Sequence, residues 1–195
     1  MRTTKVIRFA ALVVALTIPA VLSAQRAATS NFRAGQWGAE FAASNDFQSL
    51  GMVRFFSARR ALAFDVQLEN TSSSIDGSDA EDSGTAYGLS VGYRMYRPVT
   101  TGVVGHFTGG VVVNSASTSV TTGGGATTET SSKGYGPFAE VGASYFVTPH
   151  LSLGAAYGLR YLINNDKTEA PGGTTESSGH TLGSAPLSVR ISLWF

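Results

Sequence analysis

The chain of 195 residues has no cysteine, which excludes disulfides and thiolate metal sites and leaves the redox compartment open. Its three histidines, His106, His150 and His180, lie far apart, a spacing that does not assemble a transition-metal site. Charge is sparse at 14% of residues. After the first two dozen residues no stretch offers 18 consecutive apolar side chains, so no later segment reads as a transmembrane helix. Gly123-Gly124-Gly125 sits in a Thr-rich stretch without a following lysine or helix signal and is no phosphate cradle. No cofactor is expected.

What the chain has in quantity is glycine, 23 residues, which points to an all-β protein with close backbone approaches. The beginning reads differently. Arg2, Lys5 and Arg8 precede an apolar run from Phe9 to Ile18, Pro19 interrupts it, and Val-Leu-Ser-Ala ends at Ala24. This is the pattern of a secretory signal peptide over 1–24, with cleavage expected after Ala24. Removing it leaves 11 basic against 13 acidic residues, a net charge of −2, which gives no support to a nucleic-acid partner. A short polar leader, 25–32, is expected next, and one domain from Arg33 to Phe195.

Within that domain, period-2 alternation recurs in eight segments: 33–43, 47–56, 61–70, 84–96, 101–115, 132–147, 151–163 and 180–195. Leu62, Phe64, Val66 and Leu68 alternating with Ala63, Asp65, Gln67 and Glu69 give the cleanest case. The last segment sets Leu187, Val189, Ile191, Leu193 and Phe195 against Ser188, Arg190, Ser192 and Trp194. The segments are longer than the five or six residues usual in soluble sheets and long enough to cross a bilayer as tilted strands. Short connections alternate with long polar ones, 71–83, 116–131 and 164–179. The stretch 116–131 is almost wholly Ser, Thr and Gly, and a mobile loop is expected there.

Taken together, the period, the turn chemistry around Phe55 to Val66 and Tyr145 to Gly154, and the closing strand resemble the small eight-stranded outer-membrane barrels of the OmpA and OmpX type. The resemblance implies an antiparallel up-and-down transmembrane β-barrel in a bacterial outer membrane. It also implies that Leu187, Val189, Ile191, Leu193 and Phe195 form a C-terminal signal read by the barrel-assembly machinery after escort by periplasmic chaperones. A monomer in contact with lipid and lipopolysaccharide is expected. A soluble sandwich or a periplasmic lipid-binding barrel is the alternative that fits the same alternation.

If the apolar rows face hydrocarbon, the opposite rows face inward and carry Glu40, Asp65, Glu69 and Glu140 against Arg54, Arg94, Arg160 and Arg190, with His106 among them. Ions in so narrow an interior need partners, and Arg suits two-point contact with carboxylates. A lumen filled by charged pairs is expected, with at most a water-lined or gated path. Aromatics near the short turns, Phe55, Phe56, Tyr93, Tyr96, Tyr145, Phe146, Trp194 and Phe195, read as an interfacial girdle, with core packing as the plainer explanation. An enzyme is not expected: His150-x-Ser152 is similar to the spacing in lipid A deacylase barrels, but the glutamate those need corresponds here to Asn164. A structural or surface-interaction role residing in the long connections is the first reading, a small or gated solute channel the second, a lipid-modifying enzyme the third.

Overall fold

A computed structural model describes residues 32–44, 47–74, 81–121 and 126–195. The expected signal peptide, its cleavage point at Ala24 and most of the leader lie outside them. Eight antiparallel strands follow one another around a closed ring: β1 Trp37–Ala43, β2 Gln48–Ser57, β3 Arg60–Ser74, β4 Glu81–Thr100, β5 Val103–Thr121, β6 Thr127–Thr148, β7 Leu151–Ala170 and β8 Gly173–Trp194. Each strand pairs with its sequence neighbours, and β8 closes on β1. Closure removes the open edges whose unpaired N–H and C=O groups cost several kcal/mol each in hydrocarbon.

Alternation decides which way each side chain points. Leu62, Phe64, Val66, Leu89, Val141, Tyr157 and Leu193 are exposed on the outside, whereas Ala61, Ala63, Gly92, Arg94, Ala156 and Ser192 are buried inside. A wall with so many exposed large apolar residues suits hydrocarbon and not water. The five apolar residues of the closing strand, Leu187, Val189, Ile191, Leu193 and Phe195, all lie on this outer face, with Phe195 67% exposed.

The second strand departs from expectation. Val53 and Phe55 are fully buried inside, and Arg54 is exposed outside with Leu50, Met52 and Phe56. Its sequence is apolar on both faces, so alternation alone does not choose between them. Register does: Gly51 pairs with Asp65 and Val53 with Ala63, which puts both on the inner face of β3. An arginine on the lipid face costs about 0–1 kcal/mol near an interface, and Arg54 lies close to the turn end with its guanidinium over the Trp37 ring at 5.1 Å.

Two of the three stretches expected as long loops, 116–131 (expected to be mobile) and 164–179, are mostly paired strand among the described residues. Ala116–Thr121 pairs with Thr127–Ser132, and Asn164–Ala170 pairs with Gly173–Gly179. The third, expected at 71–83, is in part a continued β3–β4 ladder through Ser74 and Glu81, with 75–80 outside the described residues. Ser and Thr carry no apolar periodicity to announce a strand, yet their ladders satisfy the backbone donors and acceptors that the strands below already align. The barrel thus has one end of tight turns, near 57–60, 101–102 and 149–150, and another of tall polar hairpins.

Candidate functional site

The interior is layered. At the turn end Phe32, placed by the sequence in the leader, is 4% exposed and packs among Phe55, Tyr96, Phe146 and Trp194. Its ring is stacked on Phe55 at 4.1 Å and lies 5.0 Å from Trp194 and 4.9 Å from Tyr96. Of the aromatics expected in a girdle, Phe55, Tyr96, Phe146 and Trp194 are therefore inside, while Phe56, Tyr93 and Phe195 face outward and Tyr145 is half-buried. Gly38 makes room for this layer, since a Cβ there would meet two ring carbons of Trp194 at 2.5 Å.

Above the aromatics lies an ionic cluster drawn from five strands. The carboxylate of Glu40 on β1 accepts from Arg94 Nη1 at 2.7 Å, from Arg190 Nη1 at 3.5 Å and from Ser192 Oγ at 3.3 Å. Arg94 on β4, 1% exposed, also donates through Nε to Thr108 Oγ1 at 2.9 Å and through Nη1 to the Tyr96 hydroxyl at 3.3 Å. Arg190 on β8 donates through Nη2 to Glu140 on β6. His106 on β5 brings Nε2 to 3.7 Å from Glu140 Oε1 and its ring to 5.8 Å from that of Tyr96. Two carboxylates and two guanidiniums balance, as they must where water is scarce. Gly142 supplies the space that the His106 ring occupies.

The remaining residues expected in this cluster lie elsewhere. Arg54 is outside the barrel. Glu69 shares the inner-face parity of Asp65 but is exposed near the hairpin end. Asp65 and Arg160 line a cavity of about 40 Å³ above the cluster, together with Ser90, Glu140 and Arg190, and neither makes a salt bridge among the described residues. That volume is enough for one or a few waters. Thr108, Tyr96 and Ser192 join the cluster without being legible as partners beforehand. Their signal in the sequence is slight, because an inward Thr or Ser two residues from other polar positions is ordinary in a strand.

His150 and Ser152 are engaged with different atoms of one residue: His150 Nδ1 lies 2.8 Å from the Trp194 carbonyl oxygen, and the Trp194 indole N–H donates to Ser152 Oγ at 3.0 Å. Ser152 is fully buried beneath the indole. Among the described residues no group of three His, Asp or Glu side chains is placed to hold a metal ion.

The polar hairpins at the other end carry their own contacts. Thr121 and Thr127 hydroxyls meet at 3.2 Å, Ser132 donates to Asp166, Asn164 Nδ2 donates to Thr181 Oγ1 at 2.8 Å, and Lys167 pairs with Glu169 at 2.6 Å. That hydrogen bond raises the pKa of the Lys167 ammonium and lowers that of the Glu169 carboxyl.

No protein-family model matches the chain, and no curated protein matches it. Among solved structures, a major outer membrane protein from Thermus thermophilus is similar over 82% of this chain and 98% of its own, at 16% identity and a TM-score of 0.60. CarO of Acinetobacter baumannii is similar over 85% of this chain and 98% of its own, at 10% identity and a TM-score of 0.50. Neisserial surface protein A is similar over 82% and 94%, at 17% identity and a TM-score of 0.49. At such identities the Thermus and Acinetobacter structures speak to the fold alone, which is that of the small outer-membrane β-barrels.

Proposed function

We propose that this barrel of the outer-membrane type sits in a bacterial outer membrane as a structural or surface-interaction protein, its lumen closed and its specificity carried by the outer hairpins. The observation that supports the reading most is the filling of the interior: an aromatic layer and an ionic layer occupy it in sequence and leave a cavity of about 40 Å³. Eight strands enclose an interior that side chains can fill. With the inside so occupied and no catalytic constellation assembled around His150 and Ser152, chemistry directed at other molecules is left to the hairpins of β3–β4, β5–β6 and β7–β8. In the β5–β6 and β7–β8 hairpins the Ser, Thr and Asn side chains and the Lys167–Glu169 pair offer hydrogen-bonding groups, a surface suited to polar partners such as lipopolysaccharide sugars. The apolar row ending at Phe195 is the part that the assembly machinery would read.

A second reading, a gated solute channel, is favoured by one observation. Among the described residues, His106 Nδ1 and Nε2, Glu140 Oε1 and Arg190 Nε are buried without a hydrogen-bond partner, with His106 Nε2 facing Glu140 Oε1 at 3.7 Å, so the ionic layer has donors and acceptors with which to rearrange. Conductance of the purified protein in planar bilayers separates the two. Silence at moderate voltage is the expected outcome, and steady single-channel openings that change with Arg190→Ala would replace the closed-lumen reading by the gated one.

A further inference from the structure

We infer that the turn end of the barrel carries a binding surface on its lipid-facing wall for the phosphate of an anionic phospholipid. The inference rests on the membrane placement proposed above and goes beyond it in naming a lipid class and a sector of the wall.

Arg33, Arg54, Arg59, Arg60 and Arg97 are all exposed at this end, and none makes a salt bridge among the described residues. Three of them form a diagonal line on the outer face. Arg54 pairs with Leu62, two residues from Arg60, and Arg60 pairs with Met95, two residues from Arg97. Diagonal neighbours of this kind are about 7–8 Å apart, within reach for long side chains. No Asp or Glu lies within the turn-end stretches 32–38, 52–64, 92–108, 142–155 and 189–195. Cations with no Asp or Glu beside them at the edge of an apolar wall attract anions from outside the chain, and the planar guanidinium fork fits phosphate oxygens at two points.

The apolar part of the ligand has a place as well. Trp37, under the Arg54 guanidinium, also forms one edge of an outward groove of about 640 Å³ running over Met52, Phe64, Val91 and Val111. Phe56 and Tyr93, with ring centroids 5.7 Å apart, lie on the same outer face beside the arginines. Head-group phosphate at the arginines and acyl chain along the groove is the arrangement that satisfies both. The opposite turn, Thr148–Leu151, carries no arginine, so the surface is a sector and not a full ring.

Trp37 makes the test direct, because it lies on the outer wall while Trp194 is 2% exposed inside. Protein reconstituted in vesicles of mixed phosphatidylglycerol and phosphatidylcholine, with one lipid or the other brominated, reports by fluorescence quenching which lipid sits beside Trp37. The expected result is enrichment of phosphatidylglycerol on the order of fivefold, the factor one arginine contributes near an anionic surface. It should fall toward unity in Arg54→Gln/Arg60→Gln and persist in Lys133→Gln/Lys167→Gln at the hairpin end. Equal quenching by both lipids, or enrichment unchanged in the arginine variant, would overturn the inference while leaving the barrel in the membrane. Loss of enrichment in the lysine variant, or competition by millimolar inorganic phosphate, would overturn the assignment to lipid at this sector. Absence of quenching by either lipid would remove the membrane placement and the inference together.

Discussion

Among single side chains, Arg94 is the most committed, since its guanidinium meets Glu40, Thr108 and Tyr96 while only 1% of the residue is exposed. Removing one member of a buried ionic pair leaves the other uncompensated and typically costs about 3–5 kcal/mol. Arg94→Ala should therefore lower the unfolding free energy of the vesicle-embedded protein in urea by that amount. An unchanged urea midpoint would mean that water already solvates Glu40. Gly38→Ala tests the aromatic layer from the opposite direction, because the added methyl meets Trp194 and overpacking costs about 1–3 kcal/mol. A shift in Trp194 emission together with the lost stability is the expected signature. Both residues show what the sequence does and does not disclose. Glu40, Arg94, Glu140 and Arg190 are legible as inward charges from parity alone. Arg54 is not, because β2 has apolar residues on both faces and the choice between them is made by pairing with β3.

At the scale of elements, the number, order and approximate limits of the strands are legible because lipid-facing rows must be apolar and turns must be polar. The strand extensions are not. In Ala116–Thr121 and Thr127–Ser132 both faces are small and polar, so periodicity vanishes where the ladder continues. Phe32 is hidden for a similar reason, being one aromatic after a polar stretch with nothing in its neighbours to show that it turns into the lumen. Replacing 116–131 by a four-residue turn should leave the barrel below it intact, since the ionic and aromatic layers lie elsewhere. Heat-modifiable migration of the shortened protein on a denaturing gel checks this, and migration only as an unfolded chain would make the hairpin part of the folding unit.

For the whole molecule, the inside-out distribution of side chains makes the strongest statement. Exposed Leu, Val, Phe and Tyr cover the wall, and balanced ions lie at its axis. Such a protein should recover with the outer-membrane fraction and resist extraction by high salt, which strips proteins held by charge alone. Recovery in the soluble fraction would contradict the placement.

The ring is not equally strong all the way round. The junction of β1 with β8 has six paired positions where β7 and β8 have nineteen, and it joins residues about 150 apart in the chain, which is the slowest kind of contact to form. Glu40 grips Arg190 and Ser192 across that junction from within. The same carboxylate that neutralises the interior is thus a latch on the narrowest seam, and the lifetime of the closed barrel in lipid should depend on it. Glu40→Gln is expected to speed spontaneous unfolding measurably more than a substitution of equal burial outside the ionic cluster on β5, such as Val112→Ala, with stopped-flow unfolding into denaturant as the clock.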